Sequence, residues 1–278
     1  MLSRRALLLS LGAAALPAPA RTGQVDIGVC GSIDDFAKAE QFGFDYFEPA
    51  VAAVAALSDA AFADFAKRIS KSPLRCTSFN SFIRTLPVVG AAVDRDALTA
   101  YMNPALDRCR ALGGSIVVWG SAGSRNVPEG YSRDMAWQQI RTFLRLAGDI
   151  AQSRKIVVAI EPLRKQESNI INSGAEALRL VREVDHPNVK MIIDYYHLQQ
   201  ENEDPAILET ARDAIVHLHF SNPKGRVWPK ALDEDPGYGR FFELVKKSGF
   251  RGGLSIEGKG SFEEDAAASL AFFRKALA

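Results

Sequence analysis

Cysteine and histidine are scarce in this chain, with three of one and four of the other among 278 residues. Cys30, Cys76 and Cys109 are too few and too scattered for a disulfide framework or a cysteine-rich zinc site, and Cys109 falls in a helical pattern as a core residue. A dominant charge is lacking too. Lys and Arg number 34 against 33 Asp and Glu, a formal net charge of +1, so no broad field attracts nucleic acid or an anionic membrane. No G-x-G-x-x-G turn opens the chain, where "VCGSIDDF" stands instead, and there is no low-complexity linker or close internal repeat. The apolar run near the N-terminus is too short to cross a bilayer as a permanent helix. What remains is 47% hydrophobic and 24% charged, enough to build a large core.

"MLSRRALLLSLGAAALPAPA" has a short basic start, an apolar run from Ala6 to Leu16 and small residues ending in Ala18-Pro19-Ala20. That layout predicts a secretory signal peptide over residues 1–20, cleaved near Ala20, and an exported or periplasmic protein with no membrane span in its mature form. An uncleaved helix lying on a membrane surface is the alternative. Ser3-Arg4-Arg5-Ala6-Leu7-Leu8 also resembles a twin-arginine signal, with Leu7 where Phe is commoner. That route exports folded proteins, so a metal could be loaded before export.

From residue 21 to 278 the sequence alternates between short apolar runs and helical spacing. The runs read as strands are 25–30, 46–51, 74–79, 115–119, 156–161, 189–194, 215–220 and 253–257. Apolar residues spaced by three and four between them predict helices over 33–42, 59–70, 95–112, 133–153, 175–184, 205–212, 240–248 and 261–277. Ser58 and Ser173 are placed to cap helices, and Gly113 and Gly249 follow helix ends. Eight strand–helix units in this length predict a single (β/α)8 TIM barrel, in preference to a doubly wound open sheet.

Four of the strands end alike. "IVVAIE" ends on Glu161, "VKMIID" on Asp194, "IVHLHF" carries His219 near its end, and "GGLSIE" ends on Glu257. Active sites of such barrels are built on the C-terminal rim of the strands. With a side-chain period of two, Glu161 shares its face with Ala159, Asp194 with Ile192, His219 with His217 and Glu257 with Ser255. Three carboxylates converging alone would repel one another. One divalent cation bound by Glu161, Asp194, His219 and Glu257 removes that difficulty, and oxygen-rich ligation with one imidazole favours Mn²⁺, with Mg²⁺ or Co²⁺ as alternatives. Around them stand Glu167 and His197, in the loops after strands five and six, and Arg226, in the loop after strand seven, suited to gripping a polyol; the alternatives are a surface salt bridge for Glu167 and Arg226 and, for His197, a helix start packed on the aromatics beside it. Trp119, Phe82 and Trp228 are candidates for an apolar pocket wall.

"IEPLRKQESN", "IIDYYH", "HLHFSNPKGR", "LSIEG" and "LGGSIVVWGSAGSRNVPEG" together resemble the sugar phosphate isomerase/epimerase family of xylose-isomerase-like barrels, which includes ketose 3-epimerases and hydroxypyruvate isomerases. The resemblance covers essentially everything after the leader. It implies that Glu161, Asp194, His219 and Glu257 hold the metal and that Glu167, His197 and Arg226 contact a sugar. It also implies that Glu161 and Glu257 exchange protons beside a carbonyl, and that the protein forms a homodimer. Epimerisation and aldose–ketose isomerisation share an enediolate with elimination by a keto-sugar lyase or dehydratase, for example on a 3-keto-glycoside. Two readings of other classes remain beside these. A periplasmic metal-dependent sugar-binding protein would present the same ligands. A nucleic-acid-cleaving relative would need a histidine-rich multi-zinc site, for which Glu48 and Asn80 near the ends of strands two and three are poor material.

Overall fold

The computed structural model describes residues 25–278, and the expected leader over 1–20 lies outside the described residues. Eight parallel strands are formed: β1 Asp26–Gly31, β2 Tyr46–Pro49, β3 Ser78–Phe79, β4 Ile116–Trp119, β5 Val157–Ile160, β6 Val189–Asp194, β7 Ile215–Phe220 and β8 Gly253–Ile256. They run in the order β2-β1-β8-β7-β6-β5-β4-β3. Parallel bridges Tyr46–Arg75 and Ala50–Asn80 then join β2 to the β3 segment and close the barrel. Between the strands lie α1 Phe36–Phe42, α2 Val51–Ala55, α3 Asp59–Lys71, α4 Arg95–Ala111, α5 Ala122–Arg125, α6 Arg133–Gln152, α7 Gly174–Val184, α8 Tyr195–Gln200, α9 Ile207–Thr210, α10 Tyr238–Ser248 and α11 Phe262–Leu277.

The caps form as the sequence predicts. Ser58 Oγ accepts from the Ala61 amide and Ser173 Oγ from the Glu176 amide, each satisfying an orphan donor of the first turn. Some elements are shorter than their apolar pattern. The third strand keeps only Ser78–Phe79 of the expected 74–79, because residues 74–77 meet β2 through a single bridge. Only Ile207–Thr210 of the expected 205–212 is helical, since the chain must turn at Ala211–Ala214 to enter β7. Val51, expected at a strand end, instead starts α2.

Side-chain alternation sorts each strand into two environments. Val117, Trp119, Val158, Ile160, Met191, Ile193, Leu218, Phe220, Leu254 and Ile256 face the helices in one large core. Val118, Ala159 and Ile192 point inward and form a small core of their own inside the barrel. Lower in the barrel the Tyr46 ring fills the axis, resting where a Cβ on Gly28 would lie 2.2 Å from it, so that position admits only glycine. Above these layers the inward positions of four strands are Glu161, Asp194, His219 and Glu257.

Candidate metal centre and its cleft

Strand register sets the four groups side by side. Asp194 pairs with His219 across β6–β7, and His219 with Ser255 across β7–β8, one inward step below Glu257. His219 Nδ1 lies 3.2 Å from Glu161 Oε1 and 3.3 Å from Glu257 Oε2. One ligand atom from each of Glu161, Asp194, His219 and Glu257 falls within 4.8 Å of all the others. Asp194 divides its carboxylate between two tasks. Oδ1 accepts from the Tyr196 amide at 2.8 Å and caps α8, whereas Oδ2 is buried with no hydrogen-bond partner.

The charges are poorly balanced from within. Burial, and then the Glu257 and Glu161 carboxylates, push Asp194 up to about 7. Burial also raises Glu161, although His219 opposes it. Burial alone would raise Glu257 as well, but His219 and Arg226 outweigh it and hold the carboxyl at about 2. Three carboxylates, one imidazole and an orphaned buried oxygen make a donor set that suits one hard or borderline divalent cation.

Above the centre opens a cleft of about 450 Å³, within the range of small-molecule sites. Glu161, Glu257, Glu167, His197 and Arg226 all line it. Glu167 Oε1 accepts from Arg164 Nε at 2.7 Å, with Arg226 Nη1 3.6 Å away. Arg226 Nη2 donates to Glu257 Oε2 at 2.9 Å and sits 3.7 Å from Asp194 Oδ2. The Arg164 and Arg226 guanidiniums both lie over the Tyr196 ring, at 5.1 and 4.7 Å. His197 is in the first turn of α8 and packs on Tyr196, the helix-start alternative and not the loop, because the Asp194 cap starts a helix immediately after β6. Its Nδ1 accepts from the Arg164 amide at 3.2 Å, and burial followed by Arg226 holds the ring neutral by lowering it to about 3. The hydrogen therefore sits on Nε2, a buried donor with no hydrogen-bond partner 3.6 Å from Asp194 Oδ2, in a side chain that lines the cleft.

The three aromatic residues expected to wall the pocket do not line it. Trp119 faces α6, packs at 4.9 Å on a tilted Phe143 ring and donates to Ser124 Oγ. Alternation along β4 already carries that signal, since Trp119 shares a face with Val117 and not with inward Val118. Phe82 belongs to the helix-facing core, and Trp228 packs edge-on against Phe44 and Phe262. The lining is polar instead, with Asn80, Ser81, Arg84 and Ser121 beside the acids and Leu163 its bulkiest apolar member.

Two buried groups have roles that the sequence reading does not give. Arg125 is fully buried in α5 and donates to the carbonyl of Trp119 at 3.0 Å and that of Glu161 at 2.7 Å, which anchors the backbone bearing the Glu161 carboxylate. Glu48 is fully buried below the rim and accepts from both His217 and His219. The three cysteines are free, and among the described residues no helix is long and apolar enough to cross a membrane.

A family model described as "Xylose isomerase-like TIM barrel" matches residues 36–276. An L-ribulose 3-epimerase from Methylomonas sp. (strain DH-1) is 26% identical over 240 residues, spanning 84% of this chain and 80% of that one. A 3-dehydro-D-guloside 4-epimerase from Escherichia coli (strain K12) is 31% identical over 135 residues, 47% of this chain and half of its own length. The crystal structure of a D-psicose 3-epimerase in the presence of D-fructose superposes with a TM-score of 0.80 at 19% identity, covering 91% of this chain and 99% of that one.

Proposed function

This chain belongs to the xylose isomerase-like TIM barrel family, and from that premise we propose that it is a divalent-metal-dependent sugar epimerase or isomerase acting on a ketose or related keto-sugar. The observation that carries the reading is the convergence of Glu161 and Glu257 on His219 Nδ1, from strands three places apart in the barrel. A divalent ion held by Glu161, Asp194, His219 and Glu257, Mn²⁺ by preference, would act as a Lewis acid toward a carbonyl and its neighbouring hydroxyl.

The residues of the chain supply the proton transfers. One of the two glutamates takes the proton from the carbon beside the carbonyl, and the C–H electron pair moves into the carbonyl to give an enediolate. The other glutamate returns a proton from the opposite face, which inverts that carbon. Return to the adjacent carbon would give isomerisation instead. The His197 Nε2–H, the Glu167 carboxylate and the Arg226 guanidinium hold the hydroxyls, each by a charged or directional hydrogen bond that fixes the sugar against the glutamates. A polar cleft without an aromatic wall suits a ligand that is hydroxylated along its length. The likeness to a 3-dehydro-guloside 4-epimerase supports keto-glycosides beside free ketoses.

The test is incubation of Mn²⁺-loaded protein in D₂O with free ketoses, aldoses and 3-keto-glycosides, read by NMR. Solvent deuterium should appear at the carbon beside the carbonyl, together with the epimer. Tight sugar binding without deuterium uptake would instead identify a sugar-binding protein, and loss of a β-substituent would identify a lyase. Export belongs to the same proposal: mass spectrometry of the periplasmic fraction should find a chain starting at Arg21. So does a homodimer, which light scattering reads directly.

A further inference from the structure

Below the rim lies a carboxylate that the proposed chemistry does not use. Glu48, on β2, is closed to solvent and accepts four hydrogen bonds. Oε1 accepts from His219 Nε2 at 3.0 Å. Oε2 accepts from His217 Nε2 at 2.8 Å, Ser78 Oγ at 2.7 Å and Ser255 Oγ at 2.5 Å. The Tyr46 hydroxyl, 2.8 Å from Ser255 Oγ, extends the network across the barrel axis. A buried carboxylate persists only where donors replace water, and here β3, β7 and β8 all aim donors at one side chain.

The consequence falls on His219. A carboxylate can only accept, so the proton in the His219–Glu48 bond sits on Nε2. A neutral imidazole then has a bare Nδ1, and Nδ1 is the atom that faces Glu161 and Glu257. We propose that Glu48 is the positioning residue of the centre, fixing the tautomer and ring plane of His219 so that Nδ1 is offered to the divalent ion. The inference rests on the metal reading above and adds to it the group that orients the imidazole.

The same atoms have a competing use, because Cys30, Glu48 and His219 also lie close enough together to hold an ion. That use would break the His219–Glu48 hydrogen bond and leave the proton on Nδ1, between Glu161 and Glu257, so the two sites demand opposite tautomers and only one of them carries a thiolate.

The experiment titrates metal-free wild type and Glu48→Gln with Mn²⁺ by calorimetry and with Co²⁺ by absorption. It also records the imidazole nitrogens of Mg²⁺-loaded, ¹⁵N-histidine wild type. Wild type should bind one ion with no thiolate-to-cobalt band, and Glu48→Gln should bind it about 10–100-fold more weakly with an unchanged circular dichroism spectrum. The nitrogen spectrum should show His219 protonated at Nε2 only. Equal affinity in the variant, a proton on Nδ1 of the loaded protein, or a thiolate band would each overturn the proposal. If the variant does not fold, the wild-type spectra decide. Failure of wild type to bind any divalent ion would remove the metal reading itself, and this proposal with it.

Discussion

Gly120 and Glu161 contend for one space: a Cβ on Gly120 would lie 1.6 Å from Glu161 Oε2 and 2.7 Å from its Cδ. The residue after β4 thus leaves room for the carboxylate that follows β5. Gly120→Ala should displace that carboxylate while the helix-facing core stays untouched. Turnover should fall about 100-fold, the order expected when a reacting group moves by an ångström. Thermal unfolding should change little, because the clash is with a side chain that can swing away. Full activity in Gly120→Ala would mean that Glu161 works from another position.

Glu257→Gln keeps the shape of the side chain and removes its charge and its basicity. Turnover should drop by about 1,000-fold or more, as expected for a lost proton carrier that is also a ligand. Calorimetry should show weaker Mn²⁺ binding in the same variant. Wild-type rates would take Glu257 out of the chemistry.

Arg226 bonds Glu257 and sits close to Asp194, so its charge stands where a cation would contact the same carboxylates, and on the proposed function it also grips the sugar. Arg226→Ala should therefore raise KM by about tenfold or more, the size of a charged hydrogen bond. Mn²⁺ should bind it as tightly as wild type or more tightly. A variant with unchanged KM and weakened metal binding would reverse that assignment.

Metal binding should depend on pH through Asp194. Its folded-state pKa of about 7 lies above the unfolded value, so its stabilising contribution is complete in acid and is lost as pH rises through 7. His219 and Glu161, also raised, act in the same direction; His197, held at about 3, works against them up to its unfolded value of 6.5, and Glu257 stays ionised across this window. Metal-free protein should melt at a lower temperature at pH 8 than at pH 5. Mn²⁺ should raise the melting temperature more at pH 8, because the ion competes with a proton below 7. A larger metal effect at pH 5 would contradict the assignment.

The strand-end acids were legible because they depend on local rules. Period-two alternation fixes which residues of a strand face inward, and the ends of apolar runs fix which of those reach the rim. That is why Glu161, Asp194, His219 and Glu257 can be picked out without coordinates. The same rule applied to "SIVVW" would have turned Trp119 away from the pocket. For His197 the sequence leaves a loop and a helix start open, because nothing local announces that Asp194 caps a helix with one oxygen while leaving the other bare.

The sequence by itself determined the eight alternations, their caps and the four groups that reach the mouth, since each follows from the spacing of neighbours along one stretch of chain. Only the tertiary structure decided that Glu48 meets His217 and His219, which follow it by 169 and 171 positions, and that Arg125 holds the carbonyl of Glu161. Barrel closure and strand register create those pairings. A buried hydrogen bond between distant strands leaves no periodic trace in the residues that make it.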